Sequence, residues 1–137
     1  MTSNEPIIKA LNLPVRVSMR QPVTVSISEP VSGVMYRMIG NDIGAVIVVE
    51  KEKPVGIITE KDLLERVIME QKDVHKTPAN DIMSKPVISI EAGRLIKEAL
   101  DLMRKHNIRR LAVTENESLI GIVTERRLLR EFLNQII

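Results

Sequence analysis

The stretch Gly56 to Asp62, GIITEKD, returns near the C-terminus as GIVTERR, Gly121 to Arg127. Gly, a β-branched pair, Thr and Glu keep their places, while the closing acid becomes a base. Further out, MRQPVTV from Met19 matches MSKPVIS from Met83 at an offset of 64, and Gly56 matches Gly121 at 65. Met38 with Met103 and Ile43 with Ile108 already stand at 65, which puts one extra residue in the loop before the first helix of a half. Two copies of so long a period describe a pseudo-twofold pair and not a solenoid.

Each half runs in the same order. A Pro-led extended segment, VTVSI at 23–27 and VISI at 87–90, has the β-branched content of a strand. A helix follows, beginning near Pro30 in the first half; in the second, LIKEALDLMRKH sets Ile96, Ala99, Leu100 and Met103 on one apolar face. AVIVVE and PVGIIT flank the charged turn KEK, and LAVTE and LIGIVT flank NES, which predicts two hairpins whose strands are buried on both faces. A final helix closes each half, with apolar stripes of Leu63, Leu64, Val67, Ile68 and of Leu128, Leu129, Leu133, Ile136. The expected layout is an N-terminal extension (1–16), a first repeat (17–70), a polar linker QKDVHKTPAN (71–80) and a second repeat (81–137). Halves this small bury little alone, so they are expected to pack sheet to sheet and to open related clefts at the seam. The apolar piece PIIKALNLP is expected to cover the module or to touch a partner subunit.

Composition excludes several classes of function. With no Cys there is no thiolate nucleophile and no disulfide, and His75 and His106 stand alone, which leaves no multi-His metal site. No run of about 18 apolar residues spans a bilayer, and the first residues lack the order of a signal peptide, which points to the cytoplasm. Tyr36 and Phe132 are the only aromatic rings, so the stacking platforms of single-strand nucleic-acid binders are missing. A formal charge of +2 permits an anionic partner without requiring one. No nucleophile stands beside a base, so no catalytic residue and no enzyme is predicted.

The doubled β-α-β-β-α order, with MxxPV at each start, IGAV and IRRLAV leading into the second strand, and GI-x-T-x-x-D opening the last helix, resembles tandem CBS (cystathionine beta-synthase type) domains over about Val17 to Phe132. The resemblance implies an α/β (α+β) fold of two pseudo-twofold related repeats packed sheet to sheet. It implies a regulatory, energy-sensing module that catalyses nothing and holds no cofactor. Its ligand would be an adenine nucleotide, AMP first and then ADP or ATP, with S-adenosylmethionine and NADH as further ligands of such modules. It also implies a homodimer, or attachment to a target protein that occupancy regulates.

The family's crossed geometry assigns the residues of one cleft. Thr59, at a helix start, can face a ribose or phosphate oxygen, and Asp62 can accept from two vicinal ribose hydroxyls. The same Thr-x-x-Asp pattern also serves as a capping box. Ile88, Arg109, Arg110 and Arg126 from the second half would complete the cleft, the arginines gripping phosphate, with Lys61 adding charge. Arg109 and Arg110 could equally be a solvated turn paired with Glu115 or Glu117. Ile57, Ile58, Ile88 and Ala112 would flank the adenine, or serve simply as strand core.

The mirror cleft, from Thr24, Gly44 and Ala45 with Thr124 and Arg127, lacks both the acid and the Arg pair, so it is expected to be defective. Arg127 could instead reach toward the phosphates of the first cleft or pair with Glu131, four residues on along the same helix, and the pair is the expected outcome. The alternative to a nucleotide sensor is a ligand-independent oligomerisation or docking scaffold.

Overall fold

The computed structural model describes residues 4–136. Their order is α1 (Glu5–Leu11), β1 (Thr24–Ser26), α2 (Val31–Asn41), β2 (Ala45–Glu50), β3 (Lys53–Thr59), α3 (Glu60–Leu63), β4 (Ser89–Glu91), α4 (Ile96–His106), β5 (Arg110–Glu115), β6 (Ser118–Thr124) and α5 (Glu125–Ile136). Beyond α3 the helix widens into a π turn, Leu64–Ile68. Two three-stranded sheets result, ordered β1-β2-β3 and β4-β5-β6. In each the first pair is parallel and the second antiparallel.

Local sequence explains the element ends. Pro30 is the N-cap of α2, with extended backbone, and Asp42 and Asn107 close α2 and α4 in the left-handed conformation that such caps favour. Both hairpins turn on two residues with positive φ, Lys51–Glu52 and Asn116–Glu117, the primed geometry that matches strand twist. The turn is therefore shorter than the KEK expected, because Lys53 already begins β3. In β2 and β5 four consecutive residues are buried, whereas β3 and β6 alternate toward their Thr ends.

Strand register moves the extra residue. Thr24 pairs with Ile47 and Ser89 with Ala112, so β1 and β4 already stand at an offset of 65. Ala112 N donates to Ile88 O at 3.1 Å as Ile47 N does to Val23 O at 3.0 Å. The insertion thus lies between Pro86 and Ile88, ahead of the strand and not in the loop after it. The structural counterpart of Ile88 is accordingly Val23, and that of Thr24 is Ser89.

The chain forms two compact units whose bounds cut across the repeats: unit 1 is Met1–Gln21 with Ile88–Ile137, and unit 2 is Pro22–Val87. Unit 2 gathers Val25, Val34, Met38, Val46, Val48 and Ile58 in its core; unit 1 gathers Val15, Ile90, Ile96, Leu111, Val123 and Leu128. The segment before each repeat's first strand lies on the other repeat's hairpin. Ser84 exchanges backbone hydrogen bonds with Ile57 (2.8 and 3.0 Å), and Arg20 exchanges them with Ile122 (2.9 and 2.9 Å). The polar stretch 71–80 is held against unit 2, where Thr77 O and Val74 O accept from Val31 N and Ser32 N at 2.9 Å. The N-terminal apolar piece becomes α1, which packs on α5 within unit 1.

The closing helices bury only one edge. Leu63, Val67 and Leu128 are inside, but Leu64, Ile68, Leu129, Leu133 and Ile136 are 44–58% exposed, so the expected stripes are wider than the surface that covers them. Among the described residues no helix is long and apolar enough to cross a membrane.

Candidate functional site

In unit 2, β3 delivers Thr59 in extended backbone to the start of α3, and a full capping box forms. Asp62 N donates to Thr59 Oγ1 at 3.3 Å, while Thr59 N and Thr59 Oγ1 donate to Asp62 Oδ2 at 2.9 and 3.1 Å. Ser84 Oγ donates to Oδ1 at 2.8 Å, and Arg66 Nε stands 3.7 Å from the same oxygen. Asp62 is only 7% exposed, and three hydrogen bonds and one ion pair fall on its carboxylate, which has roughly four acceptor positions. Two of the donors are hydroxyls, Thr59 Oγ1 and Ser84 Oγ.

Ser84 and Arg66 were absent from the sequence reading. Arg66 was legible four residues after Asp62 on a helix; its Nη1 also donates to Met83 O at 2.9 Å and so clamps the covering segment. Ser84, 22 residues away, carried no signal. Nearby, Lys61 is exposed, Ile57 is half-buried, and Ile58 is fully buried in the unit 2 core, as plain strand residues are. Gly44 O accepts from Glu60 N at 3.1 Å, Ala45 pairs with Thr59, and Thr24 lies on β1 opposite Ile47.

Unit 1 builds the equivalent corner from different side chains. Arg110 pairs with Thr124 across β5 and β6, and Arg109 O accepts from Glu125 N at 2.9 Å, so both bases are fixed at the foot of α5. Arg109, Arg110 and Arg126 line one hollow of about 750 Å³, walled by Leu100, Leu128 and Phe132. The three expected phosphate ligands are thus brought together. Glu115 pairs with Arg16 at 3.2 Å instead, and among the described residues no ion pair involves Arg109, Arg110 or Arg126. Ile88 is half-buried against the unit 1 core and Ala112 is fully buried.

At the Thr124 corner half of the capping box survives: Arg127 N donates to Thr124 Oγ1 at 3.1 Å, with no carboxylate to answer it. The expected Arg127–Glu131 ion pair is not among those formed by the described residues. Arg127 instead shares a second cleft, of about 290 Å³, with Arg20, Thr124, Arg126 and Arg130. No group of three or more metal-ligating side chains occurs among the described residues.

The model of the CBS domain family matches residues 15–69 and 79–134. An uncharacterized protein of Methanopyrus kandleri is 43% identical over 99 residues, 71% of this chain and 50% of that one. The chain spans 50–60% of the length of the first curated relatives it matches. Among solved structures, an uncharacterized conserved protein from Pyrococcus horikoshii is similar with a TM-score of 0.77 at 26% identity, over 88% of this chain and 92% of that one. A CBS domain protein from Pyrobaculum aerophilum, complexed with AMP, reaches a TM-score of 0.78 over 90% and 98% of the two chains; at 24% identity that likeness is one of fold. Both β-α-β-β-α repeats fall inside the matched spans but for the last two residues of α5, and the chain accordingly belongs to the CBS domain family, as a tandem CBS pair of the regulatory kind.

Proposed function

We propose that this CBS pair senses an adenine nucleotide, AMP first and ADP or ATP next, and passes its occupancy to a partner or to its own oligomer. The observation that carries the reading is the hollow in unit 1 where Arg109, Arg110 and Arg126 meet apolar side chains. Its volume lies in the range of small-molecule sites, and three bases against the single acid Glu125 leave the rim positive, which suits a phosphate attached to an apolar ring. Asp62 is proposed as a ribose acceptor that exchanges the Thr59 and Ser84 hydroxyls for two ribose hydroxyls, with Thr59, Lys61 and Ile57 beside it; in unit 1, Ile88 is proposed as an apolar contact for the base. A ligand shifts such a module only by binding one of its conformations more tightly than another.

Calorimetric titration with AMP, ADP, ATP, NADH and S-adenosylmethionine tests this. The expected result is about one site per chain, weakened at least about tenfold by Arg110→Gln and lost in Asp62→Ala, with circular dichroism confirming that both variants fold. Absence of binding by every adenosyl compound would sink the reading. It would leave the scaffold alternative, which the exposed Leu129, Leu133 and Ile136 edge favours. We read that edge as a homodimer surface: Leu129→Asp with Leu133→Asp is expected to halve the mass seen by light scattering.

A further inference from the structure

We infer that the Arg20, Arg126, Arg127, Arg130 cleft of unit 1 is a binding site for clustered phosphates, an oligophosphate of the pyrophosphate type held without contact to any nucleoside. The inference is separate from the nucleotide reading, although Thr124 and Arg126 line both hollows.

The comparison of the two corners carries it. Arg20 occupies the place of Ser84, Arg126 that of Lys61, Arg127 that of Asp62, and Arg130 that of Glu65. Ser84 and Arg20 sit in matching backbone bridges to Ile57 and Ile122, so these are true structural counterparts. In unit 2 the corner neutralises itself, because the Asp62 carboxylate collects Ser84 and Arg66. In unit 1 a hydroxyl and two acids have all become arginine, and the one reversed partner, Glu131 in the place of Arg66, forms no ion pair among the described residues. Four like charges on one rim repel one another, and folding gains nothing from that arrangement.

The shape of the cleft narrows the ligand. Its own lining is four arginines and Thr124, with no apolar wall for a base; Glu131 and Leu133 line the neighbouring hollow that shares Arg127 and Arg130. About 290 Å³ holds a compact group, and adjacent phosphates put roughly three negative charges into such a space. Arginine forks answer phosphate oxygens two at a time. Arg20 is held by its two-bond bridge to β6, and half-buried Arg127 by the Thr124 hydroxyl, so two of the four bases start from fixed backbone. The helix end adds little, since Glu125 N and Arg127 N are already occupied. The phosphates could belong to an inorganic chain or to the tail of a nucleoside polyphosphate.

The test is calorimetry with pyrophosphate at low salt on the full chain and on Arg20→Gln with Arg130→Gln, two exposed positions whose change leaves the core untouched. Expected is saturable binding, weakened about a hundredfold in the double variant and retained in Asp62→Ala. Displacement of pyrophosphate by ATP assigns the nucleoside-polyphosphate source, and failure of ATP to displace it assigns the inorganic one. No saturable binding, or an affinity unmoved by the double variant, overturns the inference while leaving AMP binding intact. It is equally overturned if AMP and pyrophosphate compete and both are lost in Asp62→Ala, since the cleft would then be the phosphate corner of the nucleotide site.

Discussion

At the residue scale, the exchange of Asp62 for Arg127 is answered by the exchange of Ser84 for Arg20. A buried acid with a serine and an arginine on it is an integral part of the unit 2 fold, whatever ligand it also serves. Asp62→Ala removes the acceptor of three hydrogen bonds and the ion-pair partner of Arg66, and is expected to lower stability by about 1–3 kcal/mol in urea unfolding, even without ligand. Arg127→Asp restores the missing half of the second capping box and is expected to leave stability unchanged or raise it by about 1 kcal/mol. A large loss in that variant would show that Arg127 supports the fold in a way no hydrogen bond of its side chain reveals. The Thr-x-x-Asp pattern was readable from the chain because its partners lie three residues apart. Ser84 was not, because its approach depends on which repeat the MSKP segment settles on.

At the scale of elements, the repeated glycine has a steric reason. Neither Gly56 nor Gly121 has positive φ. A Cβ on Gly56 would overlap Met83 and stand 3.1 Å from Ser84 O, and one on Gly121 would stand 3.1 Å from Cβ of Met19. The Met-x-x-Pro segment thus needs a bare backbone beneath it, and both halves of the repeat signature, Met-x-x-Pro and Gly-Ile-x-Thr, describe one contact. Gly56→Ala is therefore expected to cost about 1–3 kcal/mol in chemical denaturation, as overpacking does. Gly40→Ala is the control: exposed near the end of α2 with nothing within 4 Å, it is expected to stabilise by up to about 1 kcal/mol. Equal effects of the two would refute the close-approach account. Strand and helix order was legible here because β-branched runs and the Ile96-Ala99-Met103 spacing state their own periods. The depth of the closing helices was not, since an apolar stripe reads the same whether it faces a core or a partner.

At the scale of the whole molecule, the repeat was plain in the sequence but its physical unit was not. Self-similarity reports which residues are alike, whereas the compact units follow which segments touch, and the leading segments have changed places. A fragment cut at 22–87 keeps β1 to β3, α2, α3 and the Ala79–Met83 residues that fill the unit 2 core. A fragment cut by sequence likeness at 17–70 loses Ile82 and Met83 from that core, leaves Gly56 uncovered, and strips Asp62 of Ser84. Burying Ile82, fully enclosed in the chain, is by itself worth roughly 1.5–3 kcal/mol. On that difference, 22–87 is expected to show a cooperative thermal transition and 17–70 none. Peptide 79–87 added in excess to 17–70 is then expected to recover part of the transition, since the missing segment binds only the folded form and shifts the equilibrium by mass action. If 17–70 melts as cooperatively as 22–87, the covering segment is a passenger and the repeats, not the exchanged units, are what folds.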